Sequence, residues 1–217
     1  MSCPFCFSNN CEDFDTDSFR TYLLCKNCSI VFVSRDQLIP EFLEKKRYES
    51  HDNSENNPEY QNYLQKIADH ISIFLPKGFV GLDFGCGKTK LLEKIIKEKG
   101  LEIVSYDVFF HNDLSVFEKR FNFIILSEVI EHLRNPLEEI KKLTSLLEDD
   151  GMIFIKTRLR PESSQEFRNW FYKRDITHIQ FFSKSSFNQL SAVCNLSNFM
   201  QIDEDLFLFR NNLRKVT

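Results

Sequence analysis

No apolar run approaches the ~20 residues that span a bilayer, and no charged start followed by an apolar segment opens the chain. The expectation is a soluble, cytoplasmic protein with no membrane partner. Positive charge is not in excess either. The 28 Lys and Arg face 32 Asp and Glu, and the net charge of −4 argues against a generic polyanion binder. Internal repeats and low-complexity tracts are also lacking. What the chain does hold is core material: 42% of its 217 residues are hydrophobic and 23 are Phe, which excludes wholesale disorder. That length suits one domain of ordinary size plus a small accessory module.

Seven cysteines are present, four of them in two Cys-x-x-Cys pairs. With no export signal, the pattern favours a metal over disulfides. "CPFC" (Cys3, Cys6) and "CKNC" (Cys25, Cys28) stand 18 residues apart, inside the range for a four-cysteine zinc site. The flanking "RTYLLC" and "SIVFVS" have strand composition. Residues 1–35 therefore read as a zinc ribbon. So small a module cannot fold on burial alone, and zinc binding, worth on the order of 10 kcal/mol or more, supplies the difference.

Residues 36–75 form a connector, irregular to about residue 58. "NNP" then starts a helix whose Tyr60, Tyr63, Leu64, Ile67, Ile71, Phe74 and Leu75 share one face. From 76 to 217 the chain alternates strand and helix: strand "FVGLDF", a helix over 88–99, strand "LEIVSYD", strand "FNFIILS", a helix from about Pro136 to Leu147, and strand "MIFIKT". After a helix near "SKSSFNQLSAV", the runs "NFMQI" and "DLFLF" suit an antiparallel hairpin. The fold class is α/β, a doubly wound and mostly parallel sheet.

"GLDFGCGKTK" ends like an ATP phosphate loop, but that loop needs a first Gly where Leu82 stands. A dinucleotide fingerprint needs a third Gly where Lys90 stands. What remains is strand, acidic residue, Gly-x-Gly and helix. Asp107 follows at the end of the next strand, 22 residues after Gly85. That is the pattern for gripping a nucleoside at the switch point of an α/β sheet, with Asp107 accepting ribose hydroxyls.

"LDFGCG", "YD" and "FNFIILSEVIEHL" together resemble three motifs of class I S-adenosylmethionine-dependent methyltransferases. "RYESHDNSENNPEY" and "NWFYKRDITH" resemble segments of a bacterial methyltransferase subgroup that combines an N-terminal cysteine-rich module with this catalytic domain. The resemblance implies a Rossmann-like methyltransferase fold with S-adenosylmethionine as cofactor. Asp83, Phe84, Gly85, Cys86 and Gly87 would line its methionine end, Asp107 would take the ribose, and Val108 and Phe109 would flank the adenine. Ser127 and Glu128 would lie beneath the methyl. Only 13 residues separate Asp107 from Phe121, so the usual third strand is expected to be missing or vestigial, with Asp113 as a substitute adenine contact.

"SEVIEHL" spaces Glu128, Glu131 and His132 for one face of a helical turn, and "RDITH" adds His178. The set resembles the metal site of small-RNA 2′-O-methyltransferases and of ubiquinone-pathway O-methyltransferases. In that likeness these four residues hold a divalent cation; without it they are positioning groups, and His132 or His178 is the base. Tyr48, His51 and Asn53 on one segment, and Trp170, Tyr172 and Arg174 on another, are candidates for contact with the acceptor. Between Lys156 and Arg174 six basic residues face two Glu, which suits an anionic or planar acceptor, a small molecule or RNA. The leading reading is a methyltransferase acting on O or N. The rivals are a non-catalytic zinc-ribbon adaptor that binds a nucleoside ligand and, more distantly, a nucleotide hydrolase.

Overall fold

The computed structural model describes residues 1–50 and 53–212. In a meander of β1 (Cys11–Thr16), β2 (Thr21–Cys25) and β3 (Val31–Val33), one Cys-x-x-Cys turn precedes β1 and the other joins β2 to β3. This sheet takes its fourth strand from far downstream: Val31 pairs with Phe181 and Phe32 with Gln180. Residues 1–35 therefore share a ladder with the rest of the chain.

The connector expected to be irregular contains helix α1 (Glu41–Glu49). This corrects the sequence reading. "EFLEKKRYE" is built of good helix formers, yet none of its residues is buried, so no apolar stripe announces it. Helix α2 (Pro58–Ser72) starts where "NNP" predicts. The Asn57 side chain accepts from the backbone N–H groups of Glu59 and Tyr60, and Pro58 occupies the first turn.

The main sheet then assembles. Strand β4 (Val80–Phe84) leads to helix α3 (Leu91–Glu98), β5 (Glu102–Tyr106) and β6 (Phe121–Ser127). Helix α4 (Pro136–Ser145) follows, then β7 (Leu147–Lys156). After the short helix α5 (Ser164–Asn169) and β8 (Gln180–Phe181) come helix α6 (Lys184–Val193), β9 (Met200–Asp203) and β10 (Leu206–Arg210). The order is β5-β4-β6-β7-β10-β9, with the first four strands parallel and the last two antiparallel. Between β5 and β6 there is only a 3₁₀ turn, Leu114–Glu118, so the third strand is absent as expected. Asp113 caps that turn, accepting from the Ser115 N–H, and does not line the neighbouring cavity.

Both faces of the sheet are covered, which is why β6 reads as a continuous apolar run. Phe123 and Ile125 pack with Leu64 and Ile67 of α2 and Ile95 of α3, while Ile124 and Leu126 pack toward Ile140 and Leu190. This second layer continues through Phe187, Phe182 and Phe5 to Cys3, Cys25 and Cys28, so the cysteine turns sit on the main core. Among the described residues, no helix is long and apolar enough to cross a membrane.

Gly81, in the middle of β4, has no room for a side chain: an added Cβ would overlap the Phe123 ring. Gly81→Ala is expected to lower unfolding free energy by about 1–3 kcal/mol. Urea denaturation checks this; a midpoint equal to wild type would contradict the packing.

Candidate active site

The turn after β4 is forced by geometry. Gly85 and Gly87 have φ of 81° and 68°, and a Cβ on Gly85 would lie 2.5 Å from the Val129 side chain. The N–H groups of Gly85 and Cys86 both donate to the Tyr106 carbonyl, at 2.8 and 3.1 Å, tying this turn to the end of β5. The helix begins later than residue 88. Lys90, at φ 52°, is the left-handed N-cap of α3, so residues 88–90 extend the loop. Asp107 bridges the two strand ends: Oδ2 accepts from Gly87 N–H at 3.0 Å, and Oδ1 from Phe109 and Phe110 N–H at 2.9 and 3.1 Å. Asp83 is buried beneath the loop with no partner for Oδ2. Burial, then the charges of Glu93 and Asp107, push its carboxyl up to about 7.

Above this loop lies a cavity of about 880 Å³, lined by Phe84 through Gly87, Asp107, Val108 and Phe109 on one side. Ser127, Glu128, His132 and His178 line the other. Glu128 sits at φ 53°, a conformation costing a non-glycine residue roughly 1–2 kcal/mol. Glu128, Glu131 and His132 are therefore not three positions on one helical face. Only Ile130–His132 form a 3₁₀ turn, and Glu128 stands outside it. The two carboxylates are joined instead through Tyr172, whose hydroxyl lies 2.7 Å from Glu128 Oε2 and 2.5 Å from Glu131 Oε1. One phenol hydrogen cannot serve both, so one carboxyl carries a proton in the ion-free protein. Burial first, then the Glu131 charge, push Glu128 up to about 8.

The imidazoles are set by carbonyls. His132 Nδ1 lies 2.9 Å from the Thr177 oxygen and His178 Nδ1 2.6 Å from the Tyr172 oxygen. Carbonyls only accept, so each Nδ1 holds the hydrogen and each Nε2 keeps the lone pair. Burial lowers both pKa values; that of His178 falls to about 3, with the neighbouring His132 as a second cause. Glu131 is fully buried, and its Oε2 has no partner. One ligand atom from each of Glu131, His132 and His178 lies within 4.8 Å of the others.

Tyr48 and Asn53 line the cavity, and the Tyr48 ring packs 5.7 Å from Phe109 and 5.3 Å from His132. His51 lies outside the described residues. Trp170, Tyr172 and Arg174 are not on the cavity wall. Trp170 packs on Phe167, Tyr172 and Phe181, and Tyr172 serves the carboxylates from behind. Most of the basic stretch is spent on structure. Lys156 pairs with Asp205, Lys173 and Arg168 with Asp15, and Arg160 donates to the Ser29 carbonyl. Sequence reasoning took Tyr63 as one more core position of α2. Its hydroxyl instead reaches Ser127 and Glu128, each at 3.3 Å. A tyrosine among Leu and Ile was the only signal. The four cysteine sulfurs lie within 4.8 Å of one another, with closest pairs at 3.5 and 3.6 Å. Tetrahedral zinc–thiolate bonds of about 2.3 Å put sulfurs about 3.8 Å apart, so the cluster fits that ion.

Residues 48–198 match the family model described as "Methyltransferase domain", and the chain belongs to that family. Its fold is that of the class I S-adenosylmethionine-dependent methyltransferases. Among solved structures, a 1,6-didemethyltoxoflavin-N1-methyltransferase of Burkholderia thailandensis, with 1,6-didemethyltoxoflavin and S-adenosylhomocysteine bound, superposes with a TM-score of 0.53. Identity is 14%, over 92% of this chain and 97% of that one. CalO1, a methyltransferase of calicheamicin biosynthesis in its S-adenosylhomocysteine-bound form, gives 0.54 at 12% identity, over 70% of this chain. This chain spans about half of CalO1 (54%). At these identities the likeness is one of fold. No curated protein matches the sequence.

The carboxyl shifts predict a pH dependence of stability. Unfolded Asp and Glu ionise near pH 4, whereas folded Asp83 and Glu128 hold their protons to about 7 and 8. The native state binds more protons across that window, so stability falls as pH rises through it. The lowered histidines act oppositely, but only below about pH 6.5, where the unfolded imidazoles take up protons. Without added divalent cation, the melting temperature should be higher at pH 6.5 than at 8.5, and Glu128→Gln should shrink the difference. A flat profile in wild type would contradict the buried-carboxyl assignment.

Proposed function

We propose that this enzyme methylates a hydroxyl oxygen of a small, uncharged or planar molecule, held beside a divalent cation at Glu131, His132 and His178. One observation carries the reading: two imidazoles with Nδ1 tied to carbonyls and a carboxylate oxygen of the fully buried Glu131 lie within 4.8 Å of one another. Two Nε2 lone pairs and an oxygen form a donor set suited to Mn²⁺, Fe²⁺ or Zn²⁺. An ion there supplies Lewis acidity that lowers the pKa of a coordinated hydroxyl.

The opposite wall fits the cofactor, which supplies the methyl on a sulfonium. Asp107 offers carboxylate oxygens to the ribose, Val108 and Phe109 flank the adenine, and Gly85–Gly87 present backbone close to the methionine end. Buried Asp83 provides negative charge behind it. With both imidazoles committed to the ion, Glu128 on the cavity wall is the group left to accept the hydroxyl proton. A cation beside Glu131 would draw Glu128 back into its ionised range. Holding acceptor and methyl in line does most of the rest.

Two features favour a small acceptor over RNA. Five of the six basic residues that suggested a phosphate-binding stripe are paired or buried, with Arg174 exposed, and the cavity volume lies within the range of small-molecule sites, roughly 300–1,000 Å³. In this reading Cys3, Cys6, Cys25 and Cys28 hold a structural zinc in the module of residues 1–35. Residues 36–75 form a connector whose α1 and Tyr48 cover the cavity, and residues 76–217 form the catalytic domain.

Asp107→Ala should weaken S-adenosylhomocysteine binding at least ~100-fold while keeping the circular-dichroism spectrum, since two charge-assisted bonds of about 1.5–3 kcal/mol each are lost. Retained affinity would overturn the ribose assignment. Labelled methyl from S-adenosylmethionine, offered to extract of cells lacking the protein, should enter the soluble pool. Transfer should stop under a mild chelator that leaves one zinc per chain, and resume with Mn²⁺. Label in RNase-sensitive material would overturn the small acceptor. Turnover unaffected by the chelator would overturn the cation.

A further inference from the structure

Arg20 lies in the turn between β1 and β2, outside every motif in the sequence, and is 7% exposed. The turn is built to present it. Asp17 Oδ1 accepts from the N–H groups of Phe19 and Arg20, both at 2.9 Å, and Asp17 N–H donates to the Arg20 carbonyl at 3.0 Å. The guanidinium then donates to four carbonyls of one distant loop. Nη1 reaches Ile176 at 3.1 Å and His178 at 2.9 Å; Nη2 reaches Asp175 at 3.2 Å and also Lys173. The guanidinium stacks 5.3 Å from the Tyr22 ring centre.

The same loop holds the imidazoles. Of the carbonyls from residues 172 to 178, those of 173, 175, 176 and 178 go to Arg20. Those of Tyr172 and Thr177 go to Nδ1 of His178 and His132. Peptide planes that alternate between two sets of donors cannot rotate independently. The planar fork of the guanidinium therefore determines which carbonyls remain for the histidines, and so which ring nitrogen of each keeps its lone pair.

We propose that Arg20, a residue of the cysteine-rich ribbon, is a positioning residue of the acceptor site, which makes the ribbon a working part of the catalytic apparatus. The proposal rests on reading His132 and His178 as acceptor-side groups. Arg20 acts through the loop backbone and touches no reacting atom. A lysine at this position offers three donors from one point and cannot span four carbonyls.

The test is made on the full zinc-loaded chain. Long-range proton–nitrogen NMR reads ring tautomers and needs neither acceptor nor added cation, so it stands apart from the methyl-transfer assay. Wild type should show both histidines as the Nδ1–H form. Arg20→Met should introduce the Nε2–H form at one or both, lower kcat at least tenfold, and leave S-adenosylhomocysteine affinity within about threefold. Arg20→Lys should do the same more mildly and serves where Arg20→Met does not fold. Arg168→Ala, which removes a largely exposed partner of Asp15 at the same contact, should leave the tautomers as in wild type. Unchanged tautomers in the folded Arg20 variants would overturn the proposal. So would loss of cofactor affinity in step with the tautomers, which would mark a general loosening. Shifted tautomers in a protein that proves indifferent to divalent cations would uphold Arg20 and overturn only the cation.

Discussion

Two buried carboxylates share one phenol hydroxyl at the centre of this enzyme, and the rest of the site is arranged around that constraint. Glu128 and Glu131 could not both lie charged in an apolar interior without partners. Tyr172 stands between them, which fixes the position of the loop that carries it, and through that loop the two histidines. The left-handed backbone at Glu128 is the local cost of turning its carboxylate back toward Tyr172 and the cavity.

Charge compensation also explains why the ribbon and the sheet are not separable. Asp15 is buried in β1 and accepts from Lys173 and Arg168, both beyond β7. Lys173 in turn lies over the Tyr22 and Phe167 rings. Removing Asp15 strands the buried Lys173 charge, and loss of one partner of a buried pair typically costs about 3–5 kcal/mol. The β3–β8 ladder and the shared phenylalanine core add burial to this lock. A module too small for a core of its own thus uses its neighbour's.

Much of the architecture was legible because it depends on local pattern. Alternating strands and helices, the Gly-x-Gly turn, the shortened stretch after Asp107 and the Asn57 cap all express themselves within a few residues. Helix α1 was not legible, because a helix with no buried face leaves no periodic trace. The placement of Trp170 and of the basic stretch was less legible for a related reason. Composition records that charges and aromatics are present, but their partners, Asp15, Asp205 and Phe181, are chosen by tertiary contact.

By itself, the sequence determined the fold class, the four-cysteine cluster and the glycine turn with Asp107 beside it, since each arises from backbone conformation or short-range spacing: glycines that tolerate positive φ, thiols on tight turns, an acid at a strand end. Only the tertiary structure decided the opposite wall of the cavity. Which carboxyl keeps a proton depends on burial and on a hydroxyl 44 residues away in the chain. Which histidine nitrogen is free depends on carbonyls that another module holds in place. Electrostatics in a buried site acts through space, and the order of residues along the chain carries no distances.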